Sequence, residues 1–191
     1  MLPDKNHLLN RMKSARQSWG PRPEGIIPEA ASADEESVWD YPRPPEIRPA
    51  KQRAGVCFAG EIIAESDRAL RLVETAGAPV YFFPPEDVAT RLLHPSNQIS
   101  LCEWKGAAVY FDIEVNGKRT PQAAFSYPDP LDDLEQGYSR IAGWFGFYAN
   151  RVDSAFVGDE QVTAQPGDVY AGWVTSDIKG PIKGEPGSGS W

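Results

Sequence analysis

The first apolar pattern along the chain is helical. Within residues 4–17, Leu8, Leu9 and Met12 fall on one stripe and the charges lie elsewhere, which predicts a short amphipathic helix. Residues 20–53 lose that periodicity. The stretch GPRPEGIIPEAASADEESVWDYPRPPEIRPAKQR is dense in proline, which fixes φ and pushes the preceding residue toward extended geometry. It predicts an extended arm, neither helix nor central strand. From Gly55 the period becomes that of a strand. GVCFAGEIIAES reads as strand, glycine-centred bend and strand, and ALRLVET and PVYFF continue the β texture. PPEDVATRLLH, with Pro85 near its start and acidic residues in its first turn, predicts a short helix over 84–94. ISLCEWKG reads as a strand closed by Gly106. Alternating runs flank Asn116-Gly117, a strong signal for a tight hairpin. PLDDLEQGYSRIAG offers a short helix or turn and GWFGFYANRV a strand. SAFVGDEQVTA predicts a second hairpin turning at Gly158-Asp159, and VYAGWVTSD a last strand. The tail GEPGSGSW is rich in glycine and serine and predicts a flexible end, unless Trp191 finds a groove.

Many short strands with regular turn signals predict a mainly β fold. The expectation is two antiparallel sheets, sandwich-like or as a partly open barrel, with one or two short helices and a Pro-rich N-terminal arm. A faint echo runs through the chain. YPRPP, CFAGEIIA and YFFPPEDV are matched in order by YPDP, AFVGDEQV and YAGWVTSDI, which predicts two related β units about a local twofold.

Composition narrows the function classes. The chain has 191 residues, 41% apolar and 24% charged, which suits a globular domain with an appendage. It holds no apolar run long enough for a membrane span and no secretory h-region, so neither a membrane partner nor secretion is expected and the default location is cytoplasmic. A net charge of -8 argues against nucleic acid as a partner. The basic cluster Lys5, Arg11, Lys13, Arg16 and Arg22 reads as a solvated helix face or a contact for an anionic partner. Two cysteines, Cys57 and Cys102, and two histidines, His7 and His94, lack zinc-site spacing, so neither metal nor other cofactor is expected. The G-x-S-x-G, P-loop and G-x-G-x-x-G patterns are absent. Neither cysteine has a base close in sequence to activate it, and both read as small buried hydrophobes.

Candidate chemistry collects in a few segments. In Cys102-Glu103-Trp104-Lys105, strand alternation places Glu103 and Lys105 on one face, as a polar pair at a pocket mouth or as an ion pair, with Trp104 on the other. Arg151 and Asp153 follow the aromatic strand 144–148 and read as binding residues at a strand end or as a salt bridge pinning the turn. Trp104, Trp144 and Trp173 either line a cavity for a flat or cationic ligand or fill one core.

The segments ESVWDYPRPP, GEIIAESDRALRLVET, VYFFPPEDV, CEWKG, SYPDP, FYANRVD and AGWVTSDIKGP together resemble the bacterial family called domain of unknown function 427, over roughly residues 36–184. The resemblance implies a β-tent-like fold of two antiparallel sheets. It divides the chain into an N-terminal extension 1–35, a β domain 36–184 and a tail 185–191. In that division VWDYPRPP is a strap anchored across the sheet by Trp39 and Tyr41. Related β-tent proteins often carry a zinc site and an aromatic cage, but the paired Cys-x-x-Cys is missing here. The family's occasional nucleotidyltransferase-like label finds no support either. Gly187-Ser188 has no acidic pair after it, and Asp34-Glu35-Glu36 and Asp132-Asp133 read as solvated surface.

The expected function is binding of a small molecule or a peptide in an aromatic-lined cleft by Glu103, Trp104, Lys105, Tyr127, Arg151, Asp153 and Trp173. The alternatives are a metal-dependent enzyme acting on nucleotides or phosphate esters through carboxylates such as Asp129, Asp153 and Asp177, and an assembly or adaptor protein that uses the N-terminal extension.

Overall fold

Alternation and turn chemistry set the strands of the structure, a computed structural model that describes residues 4–17, 19–20, 22–188 and 191. Residues 1–3, 18 and 21 of the extension, and 189 and 190 of the tail, lie outside the described residues. One helix, α1 (Lys5–Arg16), is capped by the Asp4 carboxylate, which accepts from His7 N, and buries Leu8 and Met12. The strands are β1 (Glu36–Ser37), β2 (Glu46–Pro49), β3 (Ala54–Phe58), β4 (Glu61–Ser66), β5 (Leu70–Glu74), β6 (Gly77–Phe83), β7 (Leu93–Cys102) and β8 (Gly106–Val115). There follow β9 (Lys118–Ser126), β10 (Phe145–Phe147), β11 (Ser154–Val157), β12 (Glu160–Gln161), β13 (Thr163–Ala164), β14 (Trp173–Val174) and β15 (Ile178–Lys179).

The fold is mainly β. Among the described residues the largest sheet has seven strands in the order β2-β5-β6-β10-β9-β8-β7 and the next has four, β12-β11-β3-β4, both with antiparallel neighbours throughout, while β1 pairs with β15 in parallel and β13 with β14 antiparallel. The Asn116-Gly117 hairpin forms between β8 and β9, with both turn residues at positive φ (50° and 78°) as its tight turn requires. The hairpins of the sequence echo, CFAGEI and AFVGDE, become β3–β4 and β11–β12. They meet side by side along the antiparallel β3/β11 seam, as a local twofold demands. The echo ends there, because YFF closes the long strand β6 whereas its counterpart yields only the two-residue β14.

The two sheets pack face to face. Val56, Ile63 and Ala155 from the small sheet meet Phe83, Ile113 and Phe147 from the large one, with Trp173 fully buried among them. The large sheet is apolar on its other face as well: Phe82 and Phe83, adjacent in β6, both have zero exposure and point opposite ways. That second face is covered by irregular chain instead of a sheet.

Two expected elements differ. Over 84–94 the chain makes two 3-10 turns, Pro85–Asp87 and Thr90–Leu92, in place of a helix. The backbone there is captured by β4: Val88 bridges Ala64 and Ala89 N donates to Ile63 O at 2.8 Å. ISLCEWKG is a strand only to Cys102; Glu103, Trp104 and Lys105 form a turn, and Gly106 re-enters at φ 88°. The alternation expected for Glu103 and Lys105 therefore does not apply.

VWDYPRPP is fixed to the domain. Val38 and Tyr41 are buried, Trp39 Nε1 donates to Pro181 O at 2.9 Å, and Ala76 N donates to Val38 O at 2.9 Å. Beyond it β2 forms an edge of the large sheet, where Pro49 costs no ladder bond. Trp191 of the tail packs edge-on to Trp39, with ring centroids 5.6 Å apart. An ion pair pins the strap's start: Arg71 binds the Glu36 carboxylate through both terminal nitrogens (2.9 and 2.8 Å), and Tyr41 and Lys51 complete it. Burial works against the Glu36 charge, but hydrogen bonds from Arg71, Lys51 and Tyr41 outweigh it and hold the carboxyl at about 2. This contribution to stability is complete above the ordinary value of 4.5 and is lost as pH falls through about 2. Glu36→Gln should thus cost about 3 kcal/mol at pH 7, because Arg71 is left buried and unpaired. Urea titrations across pH should show the gap from wild type shrinking below pH 4.5 and nearly closing around 2.

Candidate functional site

The irregular cover on the second face of the large sheet leaves a cleft of about 510 Å³, within the usual range for small-molecule sites. Its floor is made by Val80, Phe82, Tyr110, Phe125 and Tyr148, contributed by β6, β8, β9 and the residue after β10. Phe125 lies over Gly146, its cross-strand partner; a Cβ there would stand 2.4 Å from the Phe125 ring. Phe82, Tyr110, Tyr127 and Tyr148 surround that ring, so the missing side chain at Gly146 is what keeps it flat on the sheet. Tyr110 and Tyr148 stack at 6.4 Å, and a hydroxyl chain runs from Ser100 to Tyr110 (2.8 Å) to Tyr148 (3.4 Å).

The rim comes from distant parts of the chain. The tip of the β7–β8 hairpin folds across the face, and Trp104 Nε1 donates to Glu74 Oε1 of β5 at 3.1 Å. In the sheet β5 and β8 are separated by β6, β10 and β9, so this bond spans the cleft. Helix α1 clamps the same tip. Arg16 donates to the carbonyls of Glu103 (2.6 Å) and Trp104 (3.3 Å) and makes a forked pair with Asp133, while Leu8 and Met12 pack on Ala107 and Leu131. Trp19 follows, donating to Glu103 Oε1 at 2.8 Å, with Arg43 4.2 Å and Lys183 4.5 Å from its ring centroid.

Lys105 lies inside this frame. It is 7% exposed, and its Nζ donates to Cys102 Sγ at 3.3 Å and lies 5.3 Å from the Tyr127 ring centroid. Among the described residues no carboxylate comes within 4.0 Å of it. Burial pushes this ammonium down, but Cys102 and Glu74 outweigh it, and the net shift is upward, so it stays charged at neutral pH. Burial pushes the Glu74 carboxyl up, against the pull of Lys105 and Arg43. Burial, reinforced by Cys102, raises the Tyr127 phenol well above its usual value. At the far side Arg151 lies 4.2 Å from the Tyr148 ring centroid and donates to the carbonyls of Gln122 (2.9 Å) and Asp168 (3.1 Å). Gln122 presents that carbonyl from a bulge at positive φ, held by its N–H to Asp112. The lining holds four cations (Arg43, Lys105, Arg151, Lys183) against three carboxylates (Glu74, Glu103, Asp168), an inversion of the chain's acidic balance.

Of the residues singled out from sequence, Glu103, Lys105, Tyr127 and Arg151 come together around this cleft. Trp104 is buried beneath the hairpin tip as a brace. Asp153 lies elsewhere, accepting from Ala59 N at 2.7 Å to cap the β3–β4 turn. Trp173 belongs to the core between the sheets, stacked on Tyr81 at 5.0 Å with its Nε1 on Phe147 O. Trp104, Trp144 and Trp173 therefore do not line one cavity. Arg43, Glu74, Cys102, Tyr110 and Lys183 are not among the binding residues that the sequence marks; only the fold brings them together.

Asp129, Asp153 and Asp177 have separate partners, Lys5, Ala59 and Thr175. Among the described residues no group of three or more His, Cys, Asp or Glu could hold a metal ion. Cys57 and Cys102 lie on different sheets, so they do not supply the paired thiolates of a structural zinc site. Gly146→Ala should cost about 2 kcal/mol in urea denaturation, the toll of overpacking, by driving the Phe125 ring off the floor and into the cleft. Gly55→Ala, a strand glycine without positive φ whose Cβ would meet only Ala64 O at an ordinary 3.6 Å, is the control for backbone effects of replacing a glycine.

Residues 46–158 match the family model described as Domain of unknown function (DUF427). No curated protein matches the chain.

Proposed function

The chain belongs to the DUF427 family, and from that premise we propose that its cleft binds a small planar molecule carrying an acidic or strongly accepting group. The observation that carries this reading is the Lys105 ammonium: buried, facing the cleft, and bonded only to a thiol sulfur among the described residues. An ammonium has three N–H donors, and the thiol sulfur takes one of them. A ligand carboxylate, phosphate or carbonyl oxygen would complete its hydrogen bonds. Tyr110, Phe125 and Tyr148 offer the surface on which a flat ring stacks. Arg151 and Arg43 add positive potential at the rim, which favours anions and disfavours the quaternary amines that an aromatic cage alone would suit.

The test is a thermal-shift and calorimetric panel of aromatic carboxylates, aryl phosphates, their neutral amides and quaternary amines. Acids should raise the melting temperature more than matched amides. Lys105→Met should weaken acid binding roughly 10- to 100-fold, the usual worth of a hydrogen bond to a charged group. Equal shifts from acids and quaternary amines, or acid binding unchanged in Lys105→Met, would contradict the proposal.

A further inference from the structure

The hairpin tip that carries Lys105 also presents Cys102. The turn over residues 103–105 brings Lys105 Nζ to 3.3 Å from Cys102 Sγ, and both residues line the cleft. Neither feature is legible in sequence, where CEWK reads as continuous strand and separates the two onto opposite faces. Cys102 is partly exposed, whereas Lys105 is buried and has no carboxylate partner within 4.0 Å among the described residues. A thiolate is the nucleophilic form of cysteine, and a fixed ammonium beside it stabilises that charge. Cys57 provides a contrast. It is also partly exposed, on β3 of the other sheet, and among the described residues no hydrogen bond reaches its sulfur.

We propose that Cys102 and Lys105 form a nucleophilic pair that captures planar soft electrophiles, of the α,β-unsaturated carbonyl class, entering the cleft. In the step, Cys102 gives its thiol proton to water, and the thiolate attacks the β-carbon to form a C–S bond. The C=C π pair moves to the carbonyl oxygen as an enolate. Lys105 gives a proton to the α-carbon and becomes a neutral amine, which regains a proton from water. No oxidant or reductant is consumed. A conjugated aryl enone is flat and suits the Tyr110, Phe125 and Tyr148 floor that lies beside the pair. This inference rests on the same open cleft as the binding proposal, but not on an acidic ligand.

Two electrophiles separate the claims: acrylamide, which needs no aromatic recognition, and benzylideneacetone, an aryl enone. Native protein is labelled with each, and adducts at Cys102 and Cys57 are followed by peptide mass spectrometry, with protein in urea as the reference for intrinsic reactivity. Cys102 should react with acrylamide at least about tenfold faster than Cys57 in native protein, with the ratio near one in urea. Benzylideneacetone should widen the native ratio further. Lys105→Met should bring the acrylamide ratio down by about the same factor, and Lys105→Arg, which keeps a cation, should retain part of it. A native acrylamide ratio near one, an unchanged ratio in a folded Lys105→Met, or adducts on Lys105 in place of Cys102 would each overturn the proposal. Should Lys105→Met fail to fold, the wild-type native and urea ratios decide alone. A reactive Cys102 in a protein that binds no aromatic acid would leave this pair standing and remove the acidic-ligand reading; the reverse pattern would do the opposite.

Discussion

A sheet that is apolar on both faces must be covered twice, and in this protein the second cover is irregular. Phe82 and Phe83 state the constraint in two adjacent residues, each fully buried on its own side of β6. The four-stranded sheet seals one side with a buried apolar core around Trp173. The other side is closed by a hairpin tip, a 3-10 turn at Tyr138–Ile141, the segment around Ala171 and the N-terminal arm. Pieces of that kind meet along edges, and the space they leave over Tyr110, Phe125 and Tyr148 is the cleft. The site is thus a consequence of how the fold solves its burial problem.

The same arrangement explains why the rim is charged. Loop and arm segments must satisfy their backbone groups with side chains, and Arg16, Arg43 and Arg151 each donate to main-chain carbonyls around the cleft. These guanidinium groups brace the frame and raise the local potential together. Lys105 differs from them: its ammonium reaches a sulfur and an aromatic face in place of a carbonyl or a carboxylate. The N-terminal extension lies outside the family-matched segment, yet α1 and Trp19 hold the hairpin tip from which Lys105 projects. That gives the extension a positioning task within the chain, with Leu8 and Met12 already packed in cis.

Local signals in the sequence carried the strands, because turn chemistry and period-two alternation act between near neighbours. Asn116-Gly117 and Gly158 mark their hairpins directly, and Trp39 and Tyr41 announce burial of the strap. Long-range competition was not legible. PPEDVATRLLH has helical credentials, but the free edge of β4 takes its backbone at Ala89. The site was legible in part for the same reason. Glu103, Lys105, Tyr127 and Arg151 stand out as polar or aromatic residues at strand ends, and they converge. Trp173 stands out equally, but whether an aromatic strand faces a core or a cleft depends on what covers it, which no local pattern records. Glu74 and Arg43 enter only because a hairpin tip crosses three strands to reach them.

On the proposed reading, the face left by this second cover is a preformed binding surface with Lys105 as its anchor. A crystal structure of the protein grown with a simple aromatic carboxylate tests it most directly. The ring should lie against Tyr110 and Tyr148, with a carboxylate oxygen within hydrogen-bond distance of Lys105 Nζ. A cleft holding only water at saturating carboxylate, or a Lys105 ammonium turned away onto Glu74, would contradict it.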